Sequence, residues 1–378
     1  MKNWRNFTHV AIDLRDRAFF VGPNASGKSN LLDALRFLRE ITSVGGGLEE
    51  AVQARGGMRA LRCLAARRDS AIRIAVVLSG PGEGASWHYE LEFGSRGTGA
   101  NADLPRVVRE RVVRGGEPLL ERPLDEDRQD EERLRQTHLQ QISANTEFRA
   151  IADFFETIAY MNVIPQVIRD PERAGSQSAD PFGGDLIRRI ADTRANTRKA
   201  NLKRIEKGLQ IVVPQLQELD LERDQSGFWH LRGRYKHWRP KGAWQNEHQF
   251  SDGTLRLLGI LWALLERGGP LLLEEPEQHL HSEVTRHLPA LFQRIARQNG
   301  RQVLVSTHSE VLLSEQGLDV DEVFMLVPSD EGTKVVPVAD RADIGALLAG
   351  GQTMGEAVLP YTSPKGVEKL PLFDRVGL

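Results

Sequence analysis

Gly22-Pro23-Asn24-Ala25-Ser26-Gly27-Lys28-Ser29 is the stretch whose reading decides the fold. It fits G-x-x-x-x-G-K-[ST], a loop whose backbone N–H groups cradle phosphates. Its flanks fit as well. Ala18-Phe19-Phe20-Val21 is an apolar run of strand length, and behind the loop Leu31, Leu32, Ala34, Leu35 and Leu38 recur at helical spacing. Strand, glycine-rich turn and helix bring the turn's N–H groups and the positive end of the helix dipole to one anionic point. A chance glycine-rich turn before a helix is the competing reading, and these flanks argue against it. The stretch implies a nucleoside triphosphate site made by Gly22, Pro23, Asn24, Ala25, Ser26, Gly27, Lys28, Ser29 and Asn30. Within it Lys28 is assigned to the β- and γ-phosphates and the Ser29 hydroxyl to Mg²⁺.

Two later stretches supply the rest of that chemistry. Leu271-Leu272-Leu273-Glu274-Glu275-Pro276-Glu277 reads as a buried strand ending in adjacent carboxylates, and such strands present ligands at their C-terminal tips. Neighbouring strand residues point to opposite sides, so one carboxylate can face a metal and the next an attacking water. Glu274 is assigned to Mg²⁺ through a coordinated water, and Glu275 as general base or water-positioning group. Val303-Leu304-Val305-Ser306-Thr307-His308-Ser309 repeats the pattern, with His308 as a γ-phosphate contact. The helix between them, with Val284, Leu288, Leu291, Phe292 and Ile295 on one face and a kink expected at Pro289, is the crossover that a parallel pair needs. His279 and His281 are not spaced i, i+4, so no transition metal is expected there. Ser251-Asp252-Gly253-Thr254 caps an apolar helix and offers a second anion site; alone, it signals only a helix N-terminus.

The totals leave room for this. At 378 residues the chain accommodates one large α/β domain with insertions, or two domains. A net charge of −2 excludes a globally basic nucleic-acid binder but not local basic patches. The single cysteine, Cys63, excludes an intramolecular disulfide and any CxxC metal site, and points to a reducing compartment. No apolar run approaches the roughly 18–20 residues of a membrane span. Charges at Arg5, Asp13, Arg15 and Asp16 exclude a signal peptide, so a cytoplasmic protein without membrane contact is expected.

Along the chain, residues 7–21 read as a strand, a tight turn and a second strand. Ile72–Leu78, Trp87–Phe93, Arg106–Arg114 and Pro118–Arg122 read as an antiparallel sheet, the first two joined through Gly80–Gly84. Asp125–Gln136 is a solvated charged stretch, Glu147–Tyr160 an amphipathic helix and Asp170–Gly184 a loop. Asp185 to about Gln210 is expected to be one long helix. Between 186 and 207 it carries eight Lys/Arg against Asp192 and Glu206, either a DNA-facing stripe or a solvated face. From 228 a strand places Trp229, Leu231 and Tyr235 on one face and His230, Arg232, Arg234 and Lys236 on the other. Trp238 and Trp244, with Arg239 and Lys241 between them, can grip single strands or belong to the core, and the core is favoured. Residues 319–338 read as a terminal strand pair, followed by a helix at Ile344–Leu348.

Taken in order, these motifs resemble those of the ABC-class ATPases of the chromosome-maintenance and RecF type. GPNASGKS resembles Walker A, SDGT a degenerate signature motif, LLLEEPE Walker B and STHS the H-loop. The set is most similar to the single-chain AAA-labelled group found with bacterial defence systems. The resemblance covers roughly residues 1–350. It implies a P-loop α/β head with a mixed core sheet, an antiparallel N-terminal subdomain (about 1–125), a helical insertion (about 126–225) and a C-lobe (about 226–350). Residues 351–378 are expected to be a tail or docking segment. It also implies a homodimer closed head to tail on two ATP molecules, with Ser251, Asp252 and Gly253 completing the partner's site. Glu274 stands where most ABC proteins have Asp, and Gln166 is the candidate Q-loop glutamine. No long coiled coil, zinc hook or nuclease domain is expected. The leading expectation is a slow ATPase switch acting on a separately encoded effector in genome defence, with DNA a possible partner. The alternatives are a RecF-like repair ATPase, a transporter ATPase subunit and a pseudo-enzyme that only dimerises on ATP.

Overall fold

The computed structural model describes residues 1–378 except 68–69, 81–83, 96–102, 171–179, 239–242, 365 and 373–378. In chain order, β1 (Lys2–Trp4), β2 (Phe7–His9) and β3 (Arg17–Val21) precede α1 (Lys28–Thr42), α2 (Leu48–Gln53) and α3 (Gly57–Leu61). Then come β4 (Ile72–Leu78), β5 (Trp87–Ser95), β6 (Pro105–Arg114), β7 (Glu117–Arg122), α4 (Asp125–Gln129), α5 (Arg149–Glu156), β8 (Ala159–Met161) and α6 (Pro165–Ile168). Next are α7 (Leu186–Asp192), α8 (Ala195–Val212), β9 (Leu216–Arg223), β10 (Trp229–Tyr235), β11 (Ala243–Asn246) and α9 (Asp252–Leu265). The chain continues through β12 (Leu271–Glu274), α10 (Ser282–Asn299), β13 (Val303–Thr307), β14 (Val323–Ser329), β15 (Gly332–Pro337), α11 (Ala342–Ala349) and α12 (Met354–Thr362).

The sheet that positions the site has the order β15-β14-β3-β13-β12-β8, parallel except for the edge strand β15. Its strands read as continuous apolar runs because both faces are covered. Alternation sorts the side chains. Phe20, Leu272, Leu304 and Phe324 face the core containing α1 and the antiparallel sheet β2-β1-β4-β5-β6-β7. Phe19, Leu271, Leu273, Val303 and Val305 face the core containing α9 and α10. Each core is therefore built on one face of the same five parallel strands, and the α/β class with its mixed sheet is as expected.

The antiparallel strands fall where alternation places them. Five local expectations change. Phe7–His9 pairs with Lys2–Trp4 in the antiparallel sheet, whereas β3 lies in the central sheet, so the two do not form a hairpin. The expected 185–210 helix is two: Thr193 leaves helical geometry and its hydroxyl donates to the Arg189 carbonyl (2.8 Å), ending α7 without a Gly or Pro. Residues 216–223, expected within the helical insertion, form β9 in a second antiparallel sheet of order β11-β10-β9. In the expected tail, α12 buries Met354, Ala357 and Val358 in the core of α9 and α10. Helix α5 also ends at Glu156, because Tyr160 belongs to β8 beside Leu272. Helix α10 runs through Pro289, whose carbonyl accepts from the buried Arg17 guanidinium (2.9 Å). Among the described residues no helix is long and apolar enough to cross a membrane.

Candidate nucleotide site

Register assembles the site. Val21 on β3 lies opposite Thr307 on β13, and Glu274 on β12 lies opposite Ser306. The phosphate loop, His308 and the Glu274–Glu275 pair therefore leave three neighbouring parallel strands at the same end. A hydrogen bond joins Ser29 to Glu274, and Glu275 contacts both Lys28 and His308.

The loop turns into α1 through Gly27, whose φ of 97° suits glycine. A Cβ there would sit 2.2 Å from Asn6 Nδ2, because Asn6 fastens the loop from behind. Its amide donates to the Ser26 carbonyl (2.8 Å) and to Thr333 Oγ1 (2.7 Å), and its Oδ1 accepts from Asn30 (2.9 Å). Asn30, grouped by sequence with the nucleotide contacts, thus braces the loop through Asn6, and its carbonyl accepts from Trp4 Nε1 (2.7 Å).

Lys28 is buried, donating to the Gly22 (2.9 Å) and Pro23 (3.2 Å) carbonyls, with its Nζ 3.9 Å from Glu275 Oε1. Burial lowers its pKa, and Glu275, Glu277 and Glu274 oppose that shift. The Ser29 hydroxyl hydrogen-bonds Glu274 Oε1, and the Tyr160 hydroxyl hydrogen-bonds Glu274 Oε2. Burial first, and then Glu274, raise the Tyr160 pKa, so the phenol stays a donor. Ser29 Oγ and Glu274 form the oxygen pair that a hard cation selects, and on that chemistry Mg²⁺ fits.

Glu275 sits at φ 42°, left-handed geometry that costs a non-glycine residue about 1 kcal/mol or more. Three contacts impose it. Its N–H donates to the Ser306 carbonyl (2.9 Å), its carbonyl accepts from Arg256 (2.7 Å), and its side chain accepts from Gln278. The carboxylate is thereby turned toward His308, with Oε1 3.1 Å from Nδ1. The buried Glu277 accepts from Thr307 Oγ1 (2.6 Å), and burial raises its pKa.

Ser251 caps α9, its Oγ accepting from the Thr254 N–H (3.2 Å), and is itself exposed. Gly253 allows close approach to the turn after Glu275, since a Cβ would lie 2.6 Å from the His279 carbonyl. Asp252 pairs with Arg169 (2.6 Å) and accepts from Gln166 (3.2 Å), so the candidate Q-loop glutamine lies against the signature segment. From the next turn of α9 the buried Arg256 reaches Val163 O (2.7 Å), Glu274 O (3.4 Å) and Glu275 O (2.7 Å).

Sequence reasoning missed Asn6, Tyr160 and Arg256, each of which acts through a partner at least 18 residues away. For Arg256 a signal existed: a lone arginine in an otherwise apolar helix requires buried acceptors. Some of the candidate DNA contacts are paired internally. Arg232 and Arg234 meet Glu222 and Glu218 of β9, and in the 186–207 stripe Arg189 meets Glu266 and Lys203 meets Glu206. Trp238 and Trp244 are exposed rather than core, because β11 is an edge strand and Trp238 lies beyond the end of β10. Arg239 and Lys241 lie outside the described residues. A cleft of about 1030 Å³ is lined by Arg36, Arg39, Asp185, Arg189, Glu266 and Arg301 and does not include the phosphate loop.

Solved structures share the fold. An Smc head bound to the C-terminal winged-helix domain of ScpA matches at a TM-score of 0.54 and 16% identity, covering 89% of this chain and 94% of that one. A Pyrococcus furiosus Smc head bound to the C-terminal domain of ScpA matches at 0.52 and 13%, covering 92% and 98%. A curated relative, the phosphonates import ATP-binding protein PhnC 2 of Pseudomonas aeruginosa (strain UCBPP-PA14), is 29% identical over 121 residues, or 31% of this chain. The match spans 43% of that relative's length. Fold and site together define a P-loop nucleotide-binding protein with the fold of the Smc heads. Residues 17–314 match the family described as "AAA domain, putative AbiEii toxin, Type IV TA system", and the chain belongs to that family.

Proposed function

We propose that the chain hydrolyses ATP slowly within a head-to-tail homodimer, and that the cycle switches a separately encoded effector in bacterial genome defence. The observation that carries this reading is the placement of Glu275, held at φ 42° between Lys28 and His308 at the tips of adjacent strands. Glu275 accepts the proton of the attacking water as its oxygen bonds the γ-phosphorus and the bond to the ADP oxygen breaks. The Lys28 ammonium neutralises charge on the β- and γ-phosphates, and His308 holds the γ-phosphoryl group. Ser29 and Glu274 would hold Mg²⁺, which when bound would supply further charge neutralisation.

In this reading the exposed Ser251 and the N–H groups at the start of α9 receive a second copy's nucleotide. The family's description, with its toxin and toxin–antitoxin terms, supports an effector role. The PhnC 2 likeness raises a transporter subunit, against which SDGT departs from the usual LSGGQ signature. Acid-paired Arg232 and Arg234 weigh against a DNA grip on β10.

Mixing two inactive variants tests the dimer. Lys28→Ala removes phosphate binding, and Ser251→Arg blocks the partner's site at the cost of a cap worth about 1 kcal/mol. A mixed dimer keeps one composite site with both parts intact. Turnover restored on mixing supports the proposal. Two folded partners, of which Ser251→Arg still binds ATP, that stay inactive when mixed overturn it.

A further inference from the structure

A second cluster of metal-binding side chains lies outside the nucleotide site. His230 on β10 faces the turn Glu247–Gln249, which leads directly into Phe250 and Ser251. Its Nδ1 is 2.7 Å from Glu247 Oε1, and His248 Nε2 is 3.6 Å from that same oxygen. One ligand atom from each of the three residues lies within 4.8 Å of the other two. We propose that His230, Glu247 and His248 form a zinc site, with Asp224 as its orienting residue.

Donor type, spacing and support all fit. Two imidazoles and one carboxylate are a borderline donor set that suits zinc better than magnesium or calcium. Tetrahedral zinc with bonds of about 2.0 Å needs ligand atoms about 3.3 Å apart. The separations of 2.7 and 3.6 Å bracket that value, and the two histidine ligand atoms lie within 4.8 Å of each other. Histidine ligands characteristically donate their other ring N–H to a carboxylate, which fixes tautomer and ring plane. Here His230 Nε2 lies 3.2 Å from Asp224 Oδ2, and Asp224 is itself held by the Phe228 N–H (2.8 Å). Glu247 is buried, and its Oε2 accepts the Leu231 N–H (2.9 Å), leaving Oε1 for the metal. His248 is 45% exposed, giving the ion an entry path and a fourth position for water or an incoming donor. Bound zinc would tie β10 to the segment that enters the signature helix α9. The inference stands independently of the ATPase reading, because its readout is metal content.

The test uses the tag-free full chain, stripped with chelator, incubated with Zn²⁺, freed of excess ion and assayed for zinc by mass spectrometry. About one zinc per chain is expected for wild type and for the His279→Ala/His281→Ala variant. His248→Asn, at an exposed position that the fold tolerates, is expected to lose it. Added zinc should also raise the melting temperature of wild type but not of His248→Asn. Wild type without bound zinc overturns the proposal. Zinc retained by His248→Asn, or lost in the His279→Ala/His281→Ala variant, overturns it equally.

Discussion

Arg256→Met tests how the signature helix is coupled to the catalytic turn. The arginine is 2% exposed and donates to Val163 O and Glu275 O, both at 2.7 Å. Methionine keeps the length and apolar stem but leaves the Val163 carbonyl without its donor, whereas the Glu275 carbonyl keeps the Gln278 N–H (3.2 Å). A buried orphan costs about 1–3 kcal/mol, and removing a buried cation whose pKa burial already lowers returns part of that. A net loss of about 1 kcal/mol in folding stability follows. The larger effect falls on turnover, because Arg256 is one of three contacts that hold Glu275 at φ 42°. If about 1.4 kcal/mol of that support appears in the barrier, kcat falls tenfold. KM for ATP should change little, since Arg256 bonds to backbone behind the carboxylate and not to the phosphate loop. Urea melts followed by steady-state ATPase assays read both quantities. A folded Arg256→Met protein with wild-type kcat would refute the coupling.

Asn6→Ala removes the support behind Ser26 and should raise KM for ATP severalfold at nearly constant kcat; an unchanged KM counts against that role. Glu275→Gly relieves the left-handed strain while deleting the proposed base, so turnover should vanish with the melting temperature unchanged or higher; a sharp fall in melting temperature contradicts this. The pH dependence of stability should carry an Asp127 contribution. Burial pushes this carboxyl up, but hydrogen bonds from Arg122 and the Leu124 N–H prevail and bring it from 3.8 to about 2. A lowered carboxylate stabilises above its unfolded pKa, and that stability is lost as pH falls through the folded value. The deficit of Asp127→Asn in urea melts should thus be about 2 kcal/mol above pH 4 and close toward pH 2; a pH-independent deficit contradicts it.

The catalytic strands were legible because each motif announces itself locally, as an apolar run followed by a polar tip. Glu274, Glu275 and His308 needed only the parallel register to meet Lys28 and Ser29. The antiparallel strands 72–122 were legible from alternation and short turns. What escaped depends on distant partners. Asn6 is an unremarkable loop residue until Ser26 and Thr333 are beside it. Tyr160 ends an amphipathic pattern that continues past α5 into β8, so periodicity alone made it helical. The break between α7 and α8 rests on one threonine side chain, a weaker signal than glycine or proline.

ATP turnover and solution mass of wild type and Glu275→Gln, with and without duplex DNA, test the catalytic assignment most directly. The expected result is hydrolysis by wild type, none by Glu275→Gln, and a variant that ATP holds as a species of twice the monomer mass. Indifference to DNA fits a switch on a protein effector, whereas stimulation would point to a repair ATPase. Wild-type turnover by Glu275→Gln would contradict the assignment of Glu275 as the base.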